Sequence, residues 1–460
     1  MIYSSGLIWI LGAAAVSPPS PLPPCPTEQQ LAWQRCELII FLHFGVNTFT
    51  NREWGEGTED PAVFNPENLD AKQWVRTAKD AGFKMMILTA KHHDGFCLWP
   101  STFTEHSVKN SPWRDGNGDV VREFVDACSE TGMKVGFYLS PWDRHEKTYG
   151  DSPKYNEHFR KQLTELLTQY GEVSEVWFDG ACGEGPNGKK QVYDWDSYYE
   201  VVRKKQPGAV IAICGPDVRW VGNENGLARE TEWSVRPVGE DDMPVAEPNR
   251  WHPAECDVSI RPGWFWHAKE DQQVKSLRHL LDIYFSSVGR NSLLLLNVPP
   301  NDKGLLADPD VEKLKELRLA LDEIFKQDLA QGKKAKASGI RGGSDAFGPD
   351  KALDGDGGTF WCLDDGQTTG WVEVDLGKAK TFNVSRMEEA IALGQRVEQY
   401  RLEVKEKGEW RTVVEGTTVG YRKLDRFPSV TGRYVRWSIL KARGCPAIRR
   451  LGLYRNPYGN

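Results

Sequence analysis

The chain has no surplus of positive charge. Its 58 Lys and Arg stand against 65 Asp and Glu, a formal net charge of -7 over 460 residues. Nothing is left over to neutralise phosphates, which argues against a nucleic acid or an anionic membrane as partner. Paired Cys-x-x-Cys spacing is also absent. The nine cysteines are scattered, so a zinc site is not expected, and their odd number fits either some disulfides with free thiols or a set of buried thiols. No phosphate-cradling loop occurs. The apolar run Gly6–Ser17 is too short to span a bilayer. It lacks the usual positive charge before it but ends in small residues, as a secretory signal does. The proline-rich stretch Pro18–Pro26 after it reads as an unstructured leader. One glycosylation sequon, Asn383-Val384-Ser385, adds weak support for secretion.

What is present is aromatic and apolar matter in short, ordered bursts. A length of 460 residues with 39% hydrophobic and 27% charged residues describes a globular protein of two domains. Eighteen tryptophans suit either cores or the flat faces that sugars stack on. The run Leu38–Gly45 is continuously apolar up to His43, as a strand buried on both faces would be. Asp70–Gly82 has helical spacing with a glycine stop. The strand Lys84–Ala90 leads into Lys91-His92-His93-Asp94-Gly95-Phe96. A helix over Val120–Thr131 precedes the strand Lys134–Ser140, and another over Tyr155–Tyr170 precedes Val173–Phe178, which ends on Asp179 and turns at Gly180. The helix Ser197–Lys205, the strand Ala209–Gly215, the segment Ala254–Trp266, the strand Ser292–Val298 and the helix Val311–Gln327 complete an alternation that predicts a (β/α)8-like barrel over residues 27–330, after a leader over 1–26.

From about Lys333 the helical period stops. Short alternating runs bounded by turns, among them Thr369–Leu376, Gln399–Val404 and Arg433–Ile439, predict an all-β sandwich over residues 331–460. The expected fold class is therefore α/β, a barrel followed by an all-β sandwich.

In such a barrel the strand ends meet at one mouth. His43, His92, His93, Tyr138 and Asp179 all lie at or near such ends. An Asp followed by Gly often does no more than start a turn, but five polar residues in register on different strands ask for another explanation. Neighbouring histidines on an extended chain point to opposite faces, which favours hydrogen bonding to a substrate over shared ligation of a metal. Carboxylates, histidines and tryptophans together fit glycoside hydrolysis, in which one carboxylate is nucleophile or base and a second donates a proton. Glu224, Glu230, Glu232 and Glu255 are candidates for the second, and spacing does not choose among them.

The motifs His43-Phe44-Gly45, Glu53-Trp54-Gly55, Lys91–Phe96 and Trp177-Phe178-Asp179-Gly180 resemble those of the α-L-fucosidases of glycoside hydrolase family 29, over about residues 30 to 325. Gly215–Glu224 and Pro253–His267 resemble the branch that cleaves α-1,3 and α-1,4 fucosides. The C-terminal part resembles the discoidin-like sandwich that follows the barrel there. The resemblance implies a retaining double displacement with Asp179 as nucleophile and Glu224 as acid/base. It implies fucose-binding roles for His43, Glu53, Trp54, His92, His93, Tyr138 and Trp177, with Trp264 as an aromatic wall. Glu255 would alternatively contact the departing sugar. No metal or other cofactor is implied. The expected partner is a fucosylated oligosaccharide or glycoprotein glycan, met outside the cell, with no membrane attachment after signal removal. A secreted carbohydrate-binding protein without catalysis, or an adhesive protein working through its sandwich, are the competing readings.

Overall fold

The computed structural model describes residues 16–235 and 250–459. The apolar run expected to be a signal lies almost wholly outside them.

Eight parallel strands form the first sheet: β1 Leu38–Leu42, β2 Met85–Lys91, β3 Lys134–Leu139, β4 Glu175–Phe178, β5 Val210–Ile213, β6 Arg219–Trp220, β7 Ala254–Ser259 and β8 Leu293–Asn297. Their order is β5-β4-β3-β2-β1-β8-β7-β6. The ring closes between β5 and β6 only through an antiparallel bridge from Cys214 to Arg219. Every residue of β1, β2, β7 and β8 is buried, the signature of strands covered on both faces. Alternate residues divide the apolar matter in two. Ile39, Phe41, Ile87 and Leu295 point into the barrel with Tyr138 and Trp177. Ile40, Leu42, Leu88 and Leu296 pack outward under the helices.

Those helices follow from capping and spacing. Asp70 accepts from Gln73 N at the start of Ala71–Asp80, and Asp119 does the same for Val120–Thr131, which ends on left-handed Gly132 (φ 71°). Trp74, Val75 and Ala78 turn inward. The helix Leu277–Ser286 has no counterpart in the sequence reading, although Ser276 caps it and Leu280, Leu281 and Tyr284 are spaced to bury one face. The two-residue β6 is likewise new.

The second sheet is antiparallel with seven strands: β9 Lys334–Ala337, β10 Trp361–Cys362, β11 Gly370–Glu389, β12 Val397–Glu406, β13 Glu409–Gly416, β14 Lys423–Ala442 and β15 Ala447–Tyr454. It has its own core around Trp361, Phe382, Leu402, Trp437 and Leu453. It is bolted to the N-terminal end of the barrel. Glu37, just before β1, accepts from Tyr421 Oη at 3.0 Å and pairs with Arg422.

Two expectations change here. The proline-rich leader has no regular structure, but it is not loose. Leu22 N donates to Leu393 O at 2.9 Å, and Arg396 and Arg341 donate to the carbonyls of Ser20 and Ser17 at 2.6 and 2.8 Å. The sequon asparagine Asn383 is 6% exposed. Its amide donates to Asn456 O at 2.9 Å and accepts from Asn456 N at 2.7 Å, so the folded chain offers no glycan acceptor there. All nine cysteines are free thiols, seven of them buried.

Candidate active site

The first four strands of the barrel deliver polar and aromatic side chains to its C-terminal end. His43 follows β1, His92 and His93 follow β2, Tyr138 lies late in β3, and Trp177 and Asp179 bracket the end of β4. With Trp54, Glu224, Asp257 and Trp264 they line one cavity of about 140 Å³. A larger cavity of about 410 Å³ lies between barrel and sandwich, lined by Glu230, Arg290, Lys423 and Arg426. Volume does not pick the site, since a cavity of about 580 Å³ beside Phe103 and Arg160 exceeds both. The smaller one gathers convergent aromatic, imidazole and carboxyl groups at the strand ends, and that chemistry is the better guide.

Asp179 is held from two sides. Its Oδ1 accepts from Ala181 N at 2.7 Å, and its Oδ2 accepts from Tyr138 Oη at 3.0 Å. Tyr138 stacks on Trp177, with ring centroids 5.2 Å apart. Trp177 in turn donates through Nε1 to Glu255 Oε1 at 2.8 Å. The carboxylate is thereby fixed in direction while its side chain keeps 26% exposure toward the cavity.

The four glutamates now separate. Glu224, on the loop after β6, reaches the cavity, and Trp264 Nε1 donates to its Oε2 at 3.3 Å. Glu232 is buried against Arg219. Glu230 is exposed beside the larger cavity. Glu255 is fully buried beneath Trp177, so the reading that it touches a departing sugar does not hold. Its neighbour across the barrel is Glu175, which accepts from Trp33 Nε1 at 3.0 Å. Burial pushes both carboxyls up, and the charge of Glu255 pushes Glu175 further, so they do not ionise together near neutrality.

The histidine pair also corrects an expectation. His92 and His93 both face the cavity, with ring centroids 4.1 Å apart. Alternation does not apply because β2 ends at Lys91 and the chain turns at once. The buried ammonium of Lys91 donates to Asp143 Oδ2 at 2.8 Å and Gln162 Oε1 at 2.9 Å, which anchors the turn. Burial lowers the pKa of His43 to about 3 and also lowers those of His92 and His93. All three rings are therefore neutral at ordinary pH.

Glu53 is placed differently from a cavity-lining residue. Its carboxylate accepts from Trp264 N at 2.7 Å, Phe265 N at 3.2 Å and His267 Nε2 at 2.7 Å. It clamps the loop that carries Trp264. Trp54 beside it is 58% exposed and meets Trp142 edge-on at 5.6 Å. Asp257, in β7, was not singled out in the sequence. It accepts from Trp220 Nε1 at 2.8 Å, lines the cavity, and is pushed well up by burial and by Glu255. The signal was available: Glu255 and Asp257 alternate within a strand, so both face the barrel interior.

Among the described residues, no group of three His, Cys, Asp or Glu side chains is placed to hold a metal ion, and no helix is long and apolar enough to cross a membrane.

A barrel mouth with two accessible carboxylates set among indoles and neutral imidazoles defines a glycoside hydrolase site. Comparison with known proteins narrows the class. Residues 44–319 match the Alpha-L-fucosidase family, and residues 334–451 match the F5/8 type C domain. The Alpha-L-fucosidase 1 of Arabidopsis thaliana is 47% identical over 455 residues, which cover 96% of this chain and 89% of that protein. A Ruminococcus gnavus family 29 fucosidase solved in complex with fucose is 35% identical with a TM-score of 0.89, covering 96% of this chain and 97% of the other. The solved structure of SpGH29 is 39% identical with a TM-score of 0.90, covering 95% and 99%. The chain belongs to the α-L-fucosidases of glycoside hydrolase family 29, and the F5/8 type C match identifies its sandwich as discoidin-like. The readings as an inactive binding protein or an adhesive scaffold are set aside.

Proposed function

We propose that this enzyme removes terminal α-1,3- and α-1,4-linked fucose from glycans with retention of configuration. Asp179 attacks the anomeric carbon and forms a fucosyl ester. Glu224 protonates the leaving oxygen and then takes a proton from the incoming water. The observation that carries this reading is the sorting of the carboxylates. Of the four candidate glutamates, Glu224 alone shares the cavity of Asp179, while the others are ion-paired, buried or remote. A retaining mechanism needs its two carboxyls about 5 Å apart, and a shared small cavity suits that requirement. Tyr138 and Ala181 N hold the nucleophile in line, which removes orientational freedom before the reaction. His43, His92 and His93 bind ring hydroxyls. Trp177 forms the floor, Trp264 and Trp54 form walls, and Glu53 serves by fixing the Trp264 loop.

The fucose-bound relative supports a fucoside substrate, and the Gly215–Glu224 and Pro253–His267 segments support the α-1,3/1,4 branch. The enzyme acts outside the cell on fucosylated oligosaccharides or glycoprotein glycans. Signal cleavage falls before Ser17, because Ser17, Ser20 and Leu22 are bonded to the sandwich. N-terminal sequencing of protein recovered from culture medium checks this.

The test is fucose release from a Lewis-type trisaccharide, an α-1,2-fucosylated glycan and an aryl fucoside, with NMR reading the first-formed anomer. Preference for the Lewis-type substrate, release of the α-anomer and loss of activity in Asp179→Asn and Glu224→Gln are expected. A β-anomer refutes retention, and preference for the α-1,2 glycan refutes the branch. An active Glu224→Gln moves the acid elsewhere, with Asp257 next in line.

A further inference from the structure

We propose that Asn297 and Ser140 set the tautomers of His43 and His93, so that both imidazoles present an unprotonated Nε2 to the cavity and act there as hydrogen-bond acceptors. That these acceptors meet sugar hydroxyls rests on the function proposed above. The tautomers themselves follow from the hydrogen bonds behind the rings.

Asn297 closes β8, and its amide has one possible orientation. On one side it meets the main-chain N–H of His43 at 3.2 Å, which requires the carbonyl oxygen. On the other it meets the main-chain carbonyl of Trp264 at 2.8 Å and Ser259 Oγ at 3.0 Å, which the NH2 group satisfies. The same Oδ1 lies 2.9 Å from His43 Nδ1. An amide oxygen only accepts, so His43 Nδ1 carries the proton.

Ser140 makes the same choice for His93 by another route. Its hydroxyl has a single hydrogen, donated to Trp142 O at 2.7 Å. Toward His93 Nδ1, also at 2.7 Å, it offers only lone pairs. His93 Nδ1 therefore carries its proton too. Each ring is neutral and holds one proton, which leaves Nε2 bare in both.

The consequence is chemical selectivity. His93 Nε2 lies 3.9 Å from Asp179 Oδ2. A lone pair and a carboxylate facing each other cannot bond, and a proton-donating hydroxyl satisfies the imidazole. A ring of the other tautomer would instead aim its N–H at the carboxylate across that gap, drawing on the charge of the nucleophile and blunting it. Ser140 and Asn297 act through the histidines and are positioning residues.

The first measurement is a long-range 1H–15N correlation spectrum of ligand-free enzyme labelled only in histidine, which contains nine such residues. His43→Gln and His93→Gln assign the two signals. Both rings are expected as Nδ1–H tautomers, and Nε2–H on either ring overturns the proposal for that residue. In Ser140→Ala the His93 signal is expected to move toward Nε2–H, and kcat/KM on an aryl fucoside to fall about tenfold, the worth of one buried hydrogen bond. Ser140→Thr, which keeps the hydroxyl, is expected to restore both. A loss of activity in Ser140→Ala without a change in the His93 tautomer refutes the positioning role. Expected tautomers in an enzyme that releases no fucose would refute the function and leave the tautomer assignment standing.

Discussion

At the end of the barrel that meets the sandwich, polar side chains are spent on one another. Glu37 takes Tyr421 and Arg422, Asn291 Oδ1 accepts from Tyr421 N at 2.7 Å, and Glu388 accepts from Arg386, Arg422 and Arg449. At the opposite end the same residue types are held from behind and left open in front. His43 and His93 are fixed through Nδ1 alone, Asp179 keeps a face on the cavity, and Glu224 has one long bond to Trp264. A group whose hydrogen-bonding capacity is filled inside the protein contributes structure. One whose capacity is half filled is poised for a ligand.

The sharpest way to probe this contrast is a pair of substitutions. Asp179→Asn is expected to lower kcat on the order of 10³-fold or more while the melting temperature stays within error of wild type. Arg422→Met is expected to do the reverse. It leaves Glu37 and Glu388 without their shared cation in a buried site and should cost about 3–5 kcal/mol of stability, read by urea denaturation, with unchanged kcat in the folded fraction. An Asp179→Asn variant that melts early would erase the distinction.

The second probe is pH. The three arginines around Glu388 hold its carboxyl at about 2. Its stabilisation is complete above the unfolded carboxylate value of about 4.3 and is lost as pH falls toward 2. Asp94, under the histidine turn, has the opposite sign. Burial raises it to about 7, so its share of stability is present below about 3.9 and is lost as pH rises through 7. Denaturation curves from pH 2 to 8 should therefore flatten at the acid side in Glu388→Gln and at the neutral side in Asp94→Asn. Exchange of those two patterns would break the comparison. The smallest effect is expected from Trp54→Ala at the rim: a rise in KM of about 2- to 10-fold, equivalent to about 0.5–1.5 kcal/mol of aromatic contact, with kcat unaltered.

Much of this was legible in the chain. Unbroken apolar runs mark β1, β2 and β8 because strands covered on both faces need no polar side. The mouth residues could be found because each lies at or just past the end of such a run. The missing pieces have physical reasons. Arg219–Trp220 is too short for any period to register. Asp257 lies inside its strand, where attention to strand ends overlooks it. The facing of His92 and His93 turned on whether β2 ended one residue earlier or later. In the sandwich, β11 and β14 each run 20 residues, but register shifts near Asp375 and Phe382 interrupt their alternation. Only part of each was therefore recognisable. The separation of Glu224 from Glu230, Glu232 and Glu255 was out of reach, since it depends on which of four nearby carboxylates the folded loops turn toward Asp179.

The join between β5 and β6 has a mechanical meaning. A hoop cut at one point yields at the cut. Here β4 is laced to neighbours on both sides, whereas β6 hangs from β7 by two residues and touches β5 through one bridge. The strand bearing Asp179 thus sits in the stiff arc of the ring, and the loop bearing Glu224 begins beside the slit. On the roles proposed above, the nucleophile is fixed in the closed arc of the ring, while the loop of the proton carrier starts at its weakest join, where local opening costs least.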